Sequence, residues 1–572
     1  MKILGINDQH NASACLLVDG EVAAAIQEER LSGIKNHFCF PHRSIRWVLQ
    51  ESGTHPDEVT HVAIASQHIL GAFTGEDLIR ALDEAHRLRS RVRRAAQATP
   101  LVRLAHRRRR EQRLSEVDRV GLSRDRVSFV DHHTAHAAAA YHGSGWKDEP
   151  VLVLTADGHG DGLSASVRVG RAGHTDEPIA TVEAADSLGS LYATITALMG
   201  MVPLEHEYKL MGMAPYAPER GAQRSYEQFR GTLRFDADAG LTWTHARRTP
   251  PMDRCYREFR SRLERHRFDW IAAGLQRFTE EHLVTWVRNA VAATGVRRVA
   301  LGGGVFMNVK ANQRIYELDA LDDLFVFPSC GDETNSIGAA YQVHAAAVGP
   351  ERIAPLGALY WGPEITDADV EREIEPLRER GYAVSYLGDA IDERIGEMVA
   401  DGEVVARARG RMEFGARALG NRSIIADPTR KDVVREINDM IKSRDFWMPF
   451  APAVLEEEEH LYIHNPRKML APWMIMTFDT TDRADELAGA IQPYDRTARP
   501  QVVRQEDNPD FYRLIRTFRD RTGRGAVLNT SFNLHGSPIV AGAREAVEVL
   551  RRSGLRHLGV AGYLISKPSD LG

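Results

Sequence analysis

The sequence has few cysteines, and their spacing suits neither a disulfide framework nor a thiolate metal site. Its 572 residues contain four, Cys15, Cys39, Cys255 and Cys330, and none belongs to a CxxC pair. A disulfide framework and a thiolate zinc site are therefore not expected, and a reducing cytoplasm suits this composition best. No GxxxxGK[ST] string occurs either, so a phosphate site in this chain would not be a P-loop.

Long apolar runs are also missing. No stretch is long enough to cross a bilayer, and the opening MKILGINDQH lacks the basic and apolar regions of a leader, so we expect neither a membrane nor an export role. The formal net charge of -6 gives no reason to expect nucleic acid as a partner. The length exceeds what one core ordinarily supports, which predicts at least two domains.

Positive charge is concentrated in one segment, Arg87 to Arg113, which lies in a helical insertion predicted near residues 80–115. An exposed basic helix could meet RNA, phosphate or an anionic substrate. No aromatic residues are interleaved to stack on bases, so a solvated surface insertion beside a binding cleft is the favoured interpretation.

Two β-hairpin beginnings recur in the first part of the chain. MKILGIN is followed by SACLLVDGEVAAAIQEER, with Asp19-Gly20 as the turn, and residues 150–170 repeat the pattern of strand, glycine-aspartate loop and strand. This repetition predicts a duplicated mixed α/β domain, the plan of actin-like and sugar-kinase folds, with a ligand between its halves. A stretch punctuated by proline and glycine near 345–357 predicts a boundary between domains 1–350 and 351–572, and the second domain also reads as α/β.

The string DHHTAHAAAAYH places His132 and His136 one helical turn apart, close enough to bind one ion. The alternative is that the pair only caps and packs the helix. Asp157 and Asp332 each follow an apolar, strand-like run, so either carboxylate could supply a third ligand. Two imidazoles with one carboxylate suit ferrous iron or a similar divalent ion.

Two further strings have the composition of phosphate sites. In RRVALGGGVFMN the glycines 302, 303 and 304 would let backbone amides approach a nucleotide, although a tight strand-to-helix turn uses glycine as well. In the carboxy-terminal part, GARALGNRS and IKSR bring together side chains whose guanidinium forks and amines match phosphate oxygens, with surface salt bridges as the alternative. These residues are Arg417, Asn421, Arg422, Ser423, Lys442 and Arg444.

Long strings that follow in order along the chain resemble the NodU/CmcH family of O-carbamoyltransferases. They include HNASACLLVDG, DHHTAHAAAAY, EYKLMGMAPY, GDETNSIGAA, GRMEFGARALGNRSIIADP and LNTSFN. The resemblance implies an ASKHA domain like the tRNA threonylcarbamoyl transferase TsaD, followed by a YrdC-like domain. It also implies that carbamoyl phosphate and ATP give carbamoyladenylate, whose carbamoyl group passes to a hydroxyl of a natural product.

The same resemblance implies roles for individual residues and cofactors. His10 is the expected general base, Lys35 would neutralise nucleotide phosphate, and the histidine pair with Asp157 and Asp332 becomes a ferrous iron site acting as a Lewis acid. ATP is expected with Mg²⁺, and Asp157 would bind the ion directly or through water. Further residues expected in the nucleotide and carbamoyl phosphate pockets are Glu205, Lys209, Asn308, Arg499, Asn529, Ser531 and Asn533.

Two alternatives to this activity stay open at this point. One is threonylcarbamoylation of tRNA, which would use the same two domain types. The other is a nucleotide-gated, actin-like binding module with no transfer chemistry. The acceptor of the carbamoyl group is not specified by any motif, and a homodimer is a further expectation.

Overall fold

The computed structural model describes residues 1–68, 101–175 and 177–568, without the side chains of 101–104. It divides into two compact units. Unit 1 comprises Met1–Glu28 and Asn36–Leu356, and unit 2 comprises Glu29–Lys35 and Gly357–Gly572. A short segment from the amino-terminal region therefore belongs with the carboxy-terminal unit. Within the described ranges, no helix has both the length and the apolar character needed to cross a bilayer.

Unit 1 begins with a five-stranded sheet. Its strands are β1 (Lys2–Asn7), β2 (Ser13–Val18), β3 (Glu21–Gln27), β4 (His61–Ala65) and β5 (Val127–Val130). The order is β3-β2-β1-β4-β5, with two antiparallel pairings followed by two parallel ones. The predicted turn residues Asp19 and Gly20 have φ of 50° and 95°, as a tight hairpin turn of this kind requires.

A second sheet in unit 1 repeats this topology. Its strands are β6 (Val151–Gly160), β7 (Leu163–Arg171), β8 (His174–Thr175), β9 (Ala180–Glu183), β12 (Arg298–Gly302) and β13 (Asp323–Val326), and a separate hairpin is formed by β10 (Leu233–Phe235) and β11 (Trp243–His245). The path β9-β7-β6-β12-β13 again has two antiparallel and then two parallel pairings. The duplication that the two hairpin beginnings predict is thus present in the fold.

Helix α1 (Glu28–Ser32) lies at the point where the chain passes from unit 1 into the first segment of unit 2. The other described helices of this part of the chain belong to unit 1, and they are α2 (His42–Glu51), α3 (Leu101–Arg119), α4 (His132–Ser144), α5 (Leu188–Leu198), α6 (Glu207–Met213), α7 (Glu219–Phe229), α8 (Tyr256–Leu263), α9 (Phe268–Thr294), α10 (Val309–Tyr316) and α11 (Asn335–Val348). Helix α4 is capped by the Asp131 side chain, which accepts from the Thr134 amide, and ends at Gly145 with φ of 73°. Its alanines are buried, and α11 approaches so closely that a Cβ on Gly338 would lie 1.9 Å from the Ala135 carbonyl oxygen.

The basic insertion is described only in part. Residues 87–100 of the arginine-dense segment lie outside the described residues, whereas its end falls in α3. Arg107 to Arg110 carry mostly exposed side chains, but the Arg113 side chain is 4% exposed. The expectation of a solvated face therefore fails at Arg113, because this guanidinium is engaged within the core of unit 1.

Unit 2 is built on an eight-stranded mixed sheet in the order β15-β25-β24-β16-β18-β23-β19-β22. The strands are β14 (Glu364–Ile365), β15 (Ala383–Tyr386), β16 (Val405–Ala408), β17 (Gly410–Arg411), β18 (Arg422–Ala426), β19 (Ala451–Leu455), β20 (Phe478–Asp479), β21 (Thr497–Ala498), β22 (Gln501–Val503), β23 (Ala526–Ser531), β24 (His557–Val560) and β25 (Tyr563–Ser566). Here β14 pairs with β17 and β20 with β21, outside the large sheet.

Besides most of α1, the described part of unit 2 contains six helices. They are α12 (Asp367–Arg378), α13 (Ile391–Ala400), α14 (Val433–Ile437), α15 (Glu459–Tyr462), α16 (Pro509–Thr522) and α17 (Ala543–Arg552). One buried cluster includes α12 and α17 residues and another includes α13 and α16 residues, so side chains are buried on both faces of the sheet. The chain continues from α14 into a π-helical turn, Asn438–Lys442, which ends at one of the predicted phosphate-binding residues.

Candidate functional site

The four predicted metal ligands converge in unit 1. One ligand atom from each of His132, His136, Asp157 and Asp332 lies within 4.8 Å of all the others. His136 Nε2 is 3.1 Å from Asp157 Oδ2 and 3.6 Å from Asp332 Oδ1, and His132 Nε2 is 3.6 Å from Asp332 Oδ1. Residues 200 positions apart in the chain thus face one small volume.

Strand ends and one helix position these four side chains. The two histidines lie on the first turn and a half of α4, directly after β5. Asp157 lies where the pairing of β6 with β7 is interrupted between Ala156 and Gly160, an irregularity that re-aims side chains. Asp332 begins a short 3₁₀ turn before α11. His133 points away, with Nδ1 2.8 Å from Thr155 Oγ1.

The electrostatics of the cluster favour positive charge. Burial alone would lower the pKa of both imidazoles, but the nearby Asp157 and Asp332 carboxylates outweigh it, raising the pKa of His132 and bringing that of His136 to about 9. Burial would raise the pKa of Asp157, yet the two nearby histidines hold that pKa well below its ordinary value. A divalent ion would supply the same positive charge in place of protons.

The donor set fits a divalent metal. Two imidazole nitrogens and two carboxylates are ligands that iron and similar ions accept. Among the described residues, His132 Nε2 and Asp332 Oδ1 are buried and have no hydrogen-bond partner. Buried polar atoms ordinarily have a hydrogen-bond partner. Two such atoms without one, facing each other, therefore indicate that a ligand binds between them.

Other residues hold this cluster in place, and the sequence alone did not identify them. Ser66 Oγ lies 3.0 Å from His132 Nδ1, and the Asn335 amide lies 3.1 Å from His136 Nε2. The Asp161 carboxylate accepts from the backbone amide of His132 at 2.8 Å. A serine after a strand or an asparagine at a helix start has common structural uses, so the sequence offered no distinctive signal for these contacts.

Part of the triple glycine packs against the end of β6 and orients Asp157 in this structure. The Gly304 amide donates to Asp157 Oδ2 at 2.8 Å, and a Cβ on Gly303 would lie 2.3 Å from the Ala156 carbonyl oxygen. Asn308 caps α10 by accepting from the Ala311 amide and exchanges hydrogen bonds with Gln276. Close packing and orientation of a carboxylate therefore account for Gly303 and Gly304, and nucleotide binding by this loop with Gly302 remains a prediction.

His10 lies in the loop that follows β1. Hydrogen bonds join residues near His10 to Glu333, the neighbour of Asp332. The neighbouring Asn11 has φ of 52° and donates to Glu333 Oε2 at 3.4 Å. Ser13 Oγ donates to the Glu333 carbonyl oxygen at 2.7 Å. The loop of the predicted base and the loop of a metal ligand are therefore tied together by hydrogen bonds.

Three of the remaining predicted residues of the amino-terminal region lie in different places. Lys209 is in α6, and Glu205 precedes that helix with Oε1 3.8 Å from His206 Nε2. Lys35 belongs to unit 2. There its charge acts on Lys442, so the structure groups Lys35 with the cationic residues of the carboxy-terminal unit.

Unit 2 contains a group of like charges close to one another. Burial, followed by the charges of Arg444 and Lys35, lowers the pKa of Lys442 well below its ordinary value. Burial and the charges of Arg417 and Arg444 do the same to the pKa of Arg499. Lys442 Nζ donates to Ser531 Oγ at 3.0 Å and to Asn533 Oδ1 at 2.7 Å. Like charges that disfavour one another in this way indicate an anionic ligand.

Other residues of the predicted phosphate pocket are engaged in holding the fold. The buried Arg422 guanidinium donates to the carbonyl oxygens of Pro363, Gly410 and Ala541. Such an arginine has few donors left for a phosphate, so a structural role describes it better. Three more predicted residues also make internal hydrogen bonds, namely Asn421 with Arg407, Ser423 with Gly420 and Asn529 with Gln501.

Comparison with known proteins gives matches over nearly the whole chain. Residues 2–341 match a family described as "Carbamoyltransferase N-terminus", and residues 396–567 match "Carbamoyltransferase C-terminus". Nodulation protein NolNO of Sinorhizobium fredii is 34% identical over 568 residues, covering 98% of this chain and 79% of that protein. An uncharacterized protein of Methanocaldococcus jannaschii is 31% identical over 581 residues, 99% of each chain.

Solved structures are more distant. HypF, crystallised in a phosphate- and nucleotide-bound form, is 15% identical, with 61% of this chain and 56% of that chain covered and a TM-score of 0.35.

We predict that His136→Gln abolishes stoichiometric binding of a divalent ion, because it removes one of four convergent ligands. The purified chain should hold about one ion, measured by elemental analysis after anaerobic dialysis against Fe²⁺, and the variant less than about a tenth of that. The exposed His159, near the end of β6, provides the matched control His159→Gln, which should bind as the unaltered protein does. Equal metal content in both variants would contradict the site.

Arg499→Met is expected to stabilise the chain in the absence of ligand, because it removes one charge from a desolvated group of like charges. The free energy of unfolding in urea should rise by about 1–3 kcal/mol, whereas Arg435→Met, at a well-exposed position, should leave it unchanged. Added phosphate should stabilise the unaltered chain more than the Arg499 variant. A loss of stability without ligand would show that Arg499 supports the fold instead.

Proposed function

Because the chain belongs to the carbamoyltransferase family, we propose that it makes carbamoyladenylate from carbamoyl phosphate and ATP and transfers the carbamoyl group to a hydroxyl of a natural product. It is an enzyme that transfers carbamoyl groups, as both family matches and the nodulation relatives indicate. The observation that carries the finer proposal is the presence of two clusters of opposite character, one cationic in unit 2 and one of histidines and carboxylates in unit 1.

The chemistry explains why two sites are needed. A carbamoyl carbon is a poor electrophile, since its nitrogen donates into the carbonyl group. Converting it to a mixed anhydride with AMP provides a good leaving group. One water molecule cleaves carbamoyl phosphate into carbamate and phosphate, and the carbamate oxygen then attacks the α-phosphorus of ATP and displaces pyrophosphate. Making this anhydride requires a site that binds polyanions, and using it requires a site that excludes water.

We assign activation to the cationic cluster of unit 2. Arg417, Arg444 and Arg499 would bind phosphate oxygens through their guanidinium forks. Lys442, held by Ser531 and Asn533, would place a further positive charge beside the reacting phosphate. Lys35 joins this group, because the segment Glu29–Lys35 belongs to unit 2. The arrangement supports binding of carbamoyl phosphate and ATP together, with Mg²⁺ accompanying ATP.

We assign transfer to unit 1. His10 would accept the proton of the acceptor hydroxyl as it attacks the carbamoyl carbon. Ferrous iron or a similar ion held by His132, His136, Asp157 and Asp332 would polarise a phosphate or carbamoyl oxygen as a Lewis acid. The hydrogen bond from Asn11 to Glu333 keeps the loop of His10 attached to the segment of Asp332. Glu205, Lys209 and Asn308 belong to this proposal as residues lining the nucleotide pocket.

The domain types are part of the same proposal. The repeated sheet topology of unit 1 supports an actin-like, TsaD-like transfer domain over about residues 1–350, and the mixed sheet of unit 2 suits a YrdC-like activation domain over 351–572. The family assignment makes the chain an enzyme, so a binding module without transfer chemistry is set aside. Threonylcarbamoylation of tRNA is the remaining rival.

The two acceptor classes separate in one experiment. In one reaction, carbamoyl phosphate labelled with ¹⁴C is supplied with ATP and a panel of hydroxylated natural products; in a second, ¹⁴C-bicarbonate and threonine are supplied with ATP and unmodified tRNA. Label in a small molecule supports the proposal. Label in tRNA, dependent on threonine, would establish the rival.

Lys442→Met should abolish carbamoyladenylate formation, because activation depends on the positive charge beside the phosphates. Release of pyrophosphate from ATP, stimulated by carbamoyl phosphate, is expected to fall by at least about a hundredfold, as removal of a single transition-state charge contact does in other enzymes. Lys431→Met changes an exposed lysine and should leave the rate intact. Normal pyrophosphate release from the Lys442 variant would remove this residue from the activation step.

His10→Ala is expected to leave pyrophosphate release nearly unchanged and to lower transfer to the acceptor by about two to four orders of magnitude, the usual contribution of a general base. Both half-reactions are measured on the same preparation, so that loss of folding would be recognised by loss of both. Survival of transfer at the original rate would show that another group, or water, takes the proton.

A further inference from the structure

Ser66 is the residue that follows β4, and its backbone is in an unusual conformation. Its φ is 67°, in the left-handed region that disfavours residues other than glycine, asparagine and aspartate. Its side chain is fully buried, and its hydroxyl oxygen lies 3.0 Å from His132 Nδ1. A strained backbone that directs a buried hydroxyl at one imidazole is a feature found at functional sites.

This contact determines which nitrogen of His132 can face the metal cluster. When Nδ1 carries the proton and donates it to Ser66 Oγ, Nε2 keeps its lone pair. Nε2 is the atom that lies 3.6 Å from Asp332 Oδ1 and has no hydrogen-bond partner among the described residues. Histidines that bind metals ordinarily use their second nitrogen in this way, which fixes both the tautomer and the orientation of the ring.

Arg113 holds Ser66 from the other side. Its guanidinium donates to the Ser66 carbonyl oxygen at 2.8 Å and to that of Ala65 at 2.9 Å, and it binds both carboxylate oxygens of Asp8 at 2.6 and 2.7 Å. It also lies 4.7 Å above the Phe129 ring. One buried cation in α3 thus connects the ends of β1, β4 and β5, where the loop of His10, Ser66 and the metal-binding helix begin.

We propose that Ser66 is a positioning residue for the metal ligand His132, and that Arg113 keeps Ser66 in the conformation that this role requires. The last part of the basic segment is, on this proposal, an internal support of the metal site. The inference rests on the proposed function, in which the histidines and aspartates bind a divalent ion.

The test measures metal affinity directly. The full chain, stripped of metal with a chelator, is titrated with Co²⁺ and followed by its visible absorption. Ser66→Ala and Ser66→Gly should each bind Co²⁺ about 10 to 100 times more weakly than the unaltered chain, with a changed band shape, since loss of an outer hydrogen bond has this effect at metal sites. Ser225→Ala is the matched control, because Ser225 Oγ makes a similar contact, 2.7 Å long, with His266 Nδ1 outside the cluster.

The two Ser66 variants separate the hydroxyl from the backbone. Ser66→Ala removes only the hydroxyl, and Ser66→Gly removes the hydroxyl together with the restriction that a Cβ places on a positive φ. Weaker binding by both variants, in chains that remain folded, supports the proposal. Unchanged binding by either variant would overturn it, because neither carries the hydroxyl. If the unaltered chain binds no Co²⁺, the metal site in the proposed function is wrong, and this inference is then wrong as well.

The role of Arg113 is tested by coupling. Arg113→Lys keeps the positive charge but cannot make the several hydrogen bonds of the guanidinium group. It should weaken Co²⁺ binding several-fold. In the double variant with Ser66→Gly no further loss is expected, since Arg113 acts through Ser66. Arg110→Lys is the control, because Arg110 lies over the same Phe129 ring at 4.4 Å but is exposed. Independent, additive losses would overturn the connection between Arg113 and Ser66.

Discussion

The close approach of backbones around α4 is the constraint on which the amino-terminal site depends. A Cβ on Gly338 would lie 1.9 Å from the Ala135 carbonyl oxygen, and one on Gly160 would lie 2.1 Å from His132 Cγ. A Cβ on Gly302 would lie 2.8 Å from the His136 carbonyl oxygen. Three glycines from different elements therefore let the histidine helix sit deep against β6, β12 and α11. Side chains at these positions would move the imidazoles away from the two carboxylates.

The two clusters differ in the charge of the ligand that each would bind. In unit 1, carboxylates and imidazoles leave buried acceptor atoms that a cation would satisfy. In unit 2, burial lowers the pKa of Lys442 and of Arg499, and the charges of neighbouring arginines lower both further. An anion bound beside these groups would stabilise their charged forms.

The sequence predicted the fold well where the pattern is local. Hairpin turns such as Asp19-Gly20 and the spacing of His132 and His136 depend only on neighbouring residues, and the structure contains both features. Local patterns alone predict the histidine pair with either carboxylate as a third ligand, whereas the set of four residues, which the structure brings together, follows from the family resemblance. Ser66 and Arg113 were missed as site residues, since their contacts join segments far apart in the chain and neither residue type is distinctive there.

The sequence alone does not distinguish two uses of one local pattern. Glycines after a strand can admit a nucleotide or allow close packing, and the structure uses Gly303 and Gly304 to pack against β6 and orient Asp157. An arginine among glycine, asparagine and serine can bind phosphate or join loops, and Arg422 does the latter. Only the partners of these groups distinguish the two uses, and partners are set by tertiary structure.

The membership of Glu29–Lys35 in unit 2 has a consequence for how the protein is made. Arg30 donates to the Gly415 carbonyl oxygen at 2.7 Å, so this segment completes its contacts only with residues synthesised long after it. Residues 357–572 alone lack part of unit 2, and the segment Glu29–Lys35 interrupts unit 1. Neither unit therefore corresponds to one continuous segment of the sequence. A fragment that begins at residue 357 would lack Lys35, whose charge belongs to the cationic cluster.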